Sequence, residues 1–199
     1  MAKKVDHDER KREIAERAVR LFSKVGFDNV SLIMIAAATG VSRTVLYRYF
    51  CDKREILDAA ILTITGRVTD RCRAILFQSG SVAQKLERAC HATVEIMFEN
   101  KEFLVAVFDF VVANVRSGAD MNSAIVQFTS GTRNLLRVLV KHGIHTGELA
   151  KILNVDRSVD TLYSLFESCA MRIVLGTEKT PEGAKQRFSD AIHAISDWK

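Results

Sequence analysis

The chain has 199 residues, 48% hydrophobic and 27% charged, with one proline and ten glycines; that is enough apolar matter for a sizeable core, and disorder is excluded as the dominant state. The formal net charge of +5 lies wholly in residues 1–80, which hold 15 Lys/Arg against 10 Asp/Glu, while residues 81–199 hold 14 of each. Such asymmetry points to a polyanion partner for the N-terminal part. No apolar run approaches a membrane span and "MAKKVDHDERKRE" lacks the apolar core of a signal peptide, so the expectation is a cytoplasmic protein with no membrane partner.

Long stretches of Ala, Leu, Ile, Val, Arg, Lys and Glu between sparse glycines predict an all-α fold. The first helix runs from about Asp8 to Val25, with Ile14, Ala18, Leu21, Phe22 and Val25 on one face. Gly26 ends it, and Phe27 folds back as the apolar partner after the glycine. Ser31 caps a short helix, "LIMIAAATG", that stops at Thr39-Gly40, and Ser42 caps a third, "RTVLYRYF". Asp52 and Glu55 have capping-box spacing and open a fourth helix from Lys53 to about Phe77.

Two short helices joined by a glycine turn, the second rich in Arg, Thr and Tyr, have the pattern of a helix-turn-helix whose second helix enters the DNA major groove. Val45, Leu46 and Phe50 are expected to face inward, leaving Arg43, Thr44, Tyr47, Arg48 and Tyr49 toward DNA. Taken singly, each has a structural alternative: the tyrosines as half-buried packing groups, Ser31 and Ser42 as plain caps, Lys53 as a solvated lysine.

Residues 10–57 carry "A-x-x-L-F-x-x-x-G-F", "S-x-x-x-I-A", "G-V-S" and "L-Y-x-Y-F-x-x-K-x-x-I-L", and in these the chain resembles the DNA-binding domain of the TetR family of bacterial transcriptional regulators. The resemblance implies a three-helix DNA-binding domain with its N-terminal arm over residues 1–52, and a helical ligand-binding and dimerisation domain over 53–199. It further implies phosphate contacts from Ser31, Tyr47, Tyr49 and Lys53, with Ser42 alongside, and base reading by Arg43 and Thr44, joined by Arg48. Arginine suits bidentate pairing with guanine. Where the family often has Gly-Thr before Leu-Tyr, this chain has Thr44-Val45, so Thr44 either replaces the usual threonine phosphate contact or meets a thymine methyl instead.

Beyond residue 80, Ser81 opens a helix to about Glu99, "KEFLVAVFDFVVANVR" is a strongly apolar helix, and "ADMNSAIVQFTSGTRNLLRVLVKHG" reads as another, followed by the loop "IHTGELAKILNVD". Asp156 is the expected cap of the penultimate helix, which carries Val159, Leu162, Tyr163, Phe166, Cys169, Ala170 and Ile173 on one face. Thr180 caps the last, with Pro181 at its first position and Ala184, Phe188, Ala191, Ile192 and Ile195 as its stripe. By resemblance these two helices pair with their copies, so Leu162, Tyr163, Phe166, Ala170, Ile173, Phe188, Ile192 and Ile195 are the expected homodimer contacts; the alternative is that both stripes pack within one chain.

The resemblance also implies a small-molecule pocket, for which Met97, Phe98, Phe103, Phe108, Phe110 and Asn114 are the candidates, with a hydrophobic or aromatic effector; ordinary core is the competing reading. The partners expected are thus a double-stranded palindromic DNA operator, that effector and a second copy, with repression as the family's usual mode. Cys51, Cys72, Cys90 and Cys169 stand 21, 18 and 79 positions apart, so neither a disulfide framework nor a zinc site is expected; Cys51, among basic neighbours, is the thiol to watch. His142, His145 and Glu148 read as a helix end and loop rather than a metal site, and no cofactor is expected. The rival classes are a helical enzyme and a helical adaptor, but GxSxG, GxxxxGK[ST] and HExxH are all missing from the sequence.

Overall fold

The structure is a computed structural model that describes residues 2–118, 122–151 and 154–196, with side chains over 7–118, 129–151 and 154–196. The described residues form helices α1 (Ala2–Val25), α2 (Leu32–Thr39), α3 (Arg43–Tyr49), α4 (Lys53–Leu76), α5 (Val82–Glu99), α6 (Lys101–Arg116), α7 (Asn122–Thr146), α8 (Val155–Val174) and α9 (Pro181–Ser196), and no strand. The all-α expectation holds. Ala119–Met121 and Ile152–Leu153, expected as a helix start and part of a loop, lie outside the described residues.

The chain divides into two compact units, residues 1–64 with 102–125, and residues 65–101 with 126–199. The first unit therefore joins α6 to the helix-turn-helix. Its core is built from Ile14, Ala18 and Phe22 of α1, Ile35 of α2, Leu46 and Phe50 around α3, and Ile56 and Leu57 of α4, all buried. Ring contacts extend it: Phe22 and Phe27 lie 5.2 Å apart and Phe27 meets Phe110 edge-on at 4.8 Å.

In the second unit α5 packs on α9 and α8, and α8 on α9. Phe166 and Phe188 stack at 4.4 Å in that core. A polar seam joins α5 to α9: Lys185 donates to Glu95 at 2.7 Å, the His91 ring contacts Ser189 Oγ at 3.1 Å, and Ser189 donates to Glu87.

Several local expectations are corrected. α1 begins at Ala2 rather than near Asp8. α8 is capped by Asn154, whose side chain accepts from the Arg157 N–H, leaving Asp156 in the first turn. α7 continues through Gly143 to Thr146, and Gly143 marks close packing rather than a helix end: a Cβ would stand 2.6 Å from Leu149 and 3.0 Å from Val82. His142 and His145 thus lie exposed on helix, and the Glu148 carboxylate accepts the Val82 N–H at 2.6 Å.

Candidate nucleic-acid interface

The reading head is assembled by local chemistry. Ser31 Oγ accepts the Met34 N–H at 3.3 Å and starts α2; Gly40, at φ +70°, ends it, since left-handed backbone is strained for other residues. Two residues on, Ser42 Oγ accepts the Val45 N–H at 3.2 Å and starts α3. Both serines are caps whose hydroxyl protons remain available to an acceptor such as phosphate. Arg17 ties the unit together from α1, donating to the Thr39 carbonyl at 3.1 Å, a contact not foreseen from the sequence.

α3 has seven residues, and its sides divide as its composition suggests. Leu46 and the following Phe50 are fully buried and Val45 is half-buried. Arg43, Thr44, Tyr47 and Arg48 are exposed together, Tyr47 at 51%. Among the described residues of the first unit, no other segment sets two guanidinium groups, a phenol and a hydroxyl side by side on one capped helix.

Two predicted DNA contacts sit differently. Tyr49 is half-buried and its ring lies 4.6 Å from that of His7 on the N-terminal extension of α1. Lys53 is half-buried, its ammonium donating to the carbonyls of Phe27 at 2.7 Å and Asp28 at 3.0 Å and lying 4.7 Å from the Phe27 ring. An ammonium has three N–H donors, so at most one is left for phosphate. Asp52 and Glu55 close the box before α4: the Glu55 N–H donates to Asp52 at 2.8 Å and the Cys51 N–H to Glu55 at 2.7 Å. Cys51 itself is exposed. α2 adds exposed Ile33 and Met34, which sequence reasoning passed over because exposure of an apolar side chain leaves no periodic signal.

The effector candidates divide between the units. Met97 and Phe98 lie half-buried on α5 in the second; Phe103, Phe108, Phe110 and Asn114 belong to α6 in the first. Phe110 is engaged by Phe27 and by the Arg54 guanidinium at 5.7 Å, and the Asn114 amide donates to the Phe110 carbonyl at 2.8 Å.

The dimer candidates lie largely inside the single chain. Leu162, Tyr163, Phe166, Ile173, Phe188 and Ile192 are all buried within the single chain, because the apolar stripes of α8 and α9 pack on each other and on α5. Burial also pushes the Tyr163 phenol up to about 12. Ala170 and Ile195 are half-buried. The outward side of α8 carries Thr161, Ser164, Ser168 and Met171, and its C-cap Leu175 is 67% exposed.

The family model for bacterial regulatory proteins of the tetR family matches residues 14–60. The chain is 28% identical over 88% of its length, and 83% of the other's, to the HTH-type transcriptional regulator PksA of Bacillus subtilis. It is 21% identical over 84% of each chain to the fatty acid metabolism regulator protein of the same organism. Among solved structures, FadR from Bacillus subtilis in complex with stearoyl-CoA superposes with a TM-score of 0.79 at 17% identity, over 93% of this chain and 97% of that one. A putative TetR-family regulator from a Rhodococcus species superposes at 0.78, with 20% identity over 95% of this chain and all of the other.

Proposed function

Because this chain belongs to the TetR family of bacterial transcriptional regulators, whose members are not enzymes, we propose that it is a repressor that binds a palindromic operator as a homodimer and is released by a small apolar effector. The observation that carries this reading is the single exposed face of α3, Arg43, Thr44, Tyr47 and Arg48 together. A helix of seven residues spans few base pairs, so specificity asks for two copies, placed on half-sites about 34 Å apart or a multiple of that. Arg43 reads guanine, Thr44 a neighbouring base edge, and Ser31, Ser42, Tyr47 and the remaining Lys53 donor hold phosphates, with Arg48 beside them. Tyr49 braces the extension of α1 through His7, and its hydroxyl adds a backbone contact.

Two copies pair through the outward sides of α8 and α9, where Met171 and Leu175 supply apolar area beside the small Ser164, Ser168 and Ala194. An apolar effector is supported by the half-buried Met97 and Phe98 of α5 and by the likeness to a FadR whose structure holds stearoyl-CoA. Its binding lowers operator affinity only by favouring the conformation that DNA does not; a tenfold release corresponds to about 1.4 kcal/mol of coupling.

Selecting bound fragments from a random duplex library tests the reading. A twofold-symmetric site whose affinity falls steeply with salt is expected. An asymmetric site, or binding without sequence preference, contradicts it.

A further inference from the structure

We propose that Asp109 is a positioning residue through which α6 sets the orientation of the reading head; the inference rests on the operator-reading function above. The amide that follows a glycine cap ordinarily turns back onto a carbonyl of the helix it ends. Here the Phe27 N–H, one residue after Gly26 at φ +88°, instead donates to Asp109 Oδ2 at 2.5 Å, across 82 positions of sequence. The next residue of α6, Phe110, meets the Phe27 ring at 4.8 Å. The carbonyl of the same Phe27 accepts the Lys53 ammonium at 2.7 Å, at the first residue of α4. One buried residue at the α1–α2 corner is therefore held by α6 through its amide and ring, and by α4 through its carbonyl.

The bond ties the α1–α2 corner to the position of α6. The bond is charge-assisted and its donor belongs to a buried residue, so a shift of α6 by about 1 Å breaks it and leaves the amide without its acceptor. The α1–α2 corner must then follow α6 or give up the bond. Any ligand that displaces α6 thereby acts on α1, on the start of α2 and on Lys53 without touching DNA.

The test uses the full chain and two DNAs, the selected operator and the same operator with one base pair inserted between its half-sites. Asp109→Ala is expected to lose about tenfold of the parent's preference between them, equal to 1.4 kcal/mol. Asp109→Asn, which keeps an oxygen acceptor, retains most of the preference. A merely structural role would lower both affinities by one factor, along with the melting temperature; that result, or an unchanged preference in Asp109→Ala, overturns the proposal. Should Asp109→Ala fail to fold, Asp109→Glu decides: its longer arm displaces the carboxylate, and a preference equal to the parent's overturns the proposal. A parent chain that binds both DNAs equally overturns the dimeric operator reading itself, and the proposal with it.

Discussion

Replacing Lys53 by Met keeps the aliphatic stem and removes the ammonium, which separates a role in the fold from a role on DNA. The ammonium makes two hydrogen bonds to carbonyls, at 2.7 and 3.0 Å, and lies 4.7 Å from the Phe27 ring. Hydrogen bonds to a charged donor contribute about 1.5–3 kcal/mol each when desolvated, and the partial exposure of this site reduces the pair to about 2 kcal/mol in total. In a chain of this size that corresponds to a melting temperature lower by about 4–8 °C, read by circular dichroism. A lysine that only touched phosphate would leave the melt unchanged and lower the salt slope of DNA binding by about one. A Lys53→Met melt within about 1 °C of the parent would refute the clasp at the α1–α2 corner.

Arg43→Ala is expected to relax specificity at one base pair of each half-site by about 1–3 kcal/mol, seen as a flattened preference in binding to operators mutated position by position. Leu175→Asp, at the exposed C-cap of α8, should leave the helical content intact and give a monomer in sedimentation velocity, with operator affinity lost. Glu95 is held below the ordinary glutamate range, first by its hydrogen bond from Lys185 and also by the charges of Lys185, Arg71 and His91, against the opposing effect of burial. A lowered folded value means that its stabilising contribution is present above the ordinary value of 4.5 and is lost as pH falls through the folded one. Denaturant melts of Glu95→Gln should therefore fall short of the parent at neutral pH and converge with it in acid; an equal deficit at both would contradict this sign.

What the sequence made legible was local. Ser31 and Ser42 declare their helices because a cap acts within three residues, and Leu46 and Phe50 declare the buried side of α3 by spacing alone. The start of α1 was not legible, since no apolar residue at helical spacing precedes Ile14 to mark the extension from Ala2. Asn154 lost to Asp156 as the expected cap because both residue types suit the position and only the backbone decides. The stripes of α8 and α9 were legible as stripes but not as to partner: periodicity identifies an apolar side and is silent on whether it meets its own chain or a copy. Lys53 and Asp109 were hidden for another reason, their partners lying 26 and 82 positions away on backbone atoms that no side-chain pattern encodes.

The exposed side of α3 lying in the major groove is the claim on which the rest depends, and methylation interference at guanine N7, an atom of that groove, tests it most directly. The account predicts two dyad-related blocks of interfering guanines, about one helical turn or a multiple of it apart, with the guanine read by Arg43 dropping out of the pattern in Arg43→Ala. Interference confined to the minor groove, or a pattern unchanged by Arg43→Ala, would contradict it.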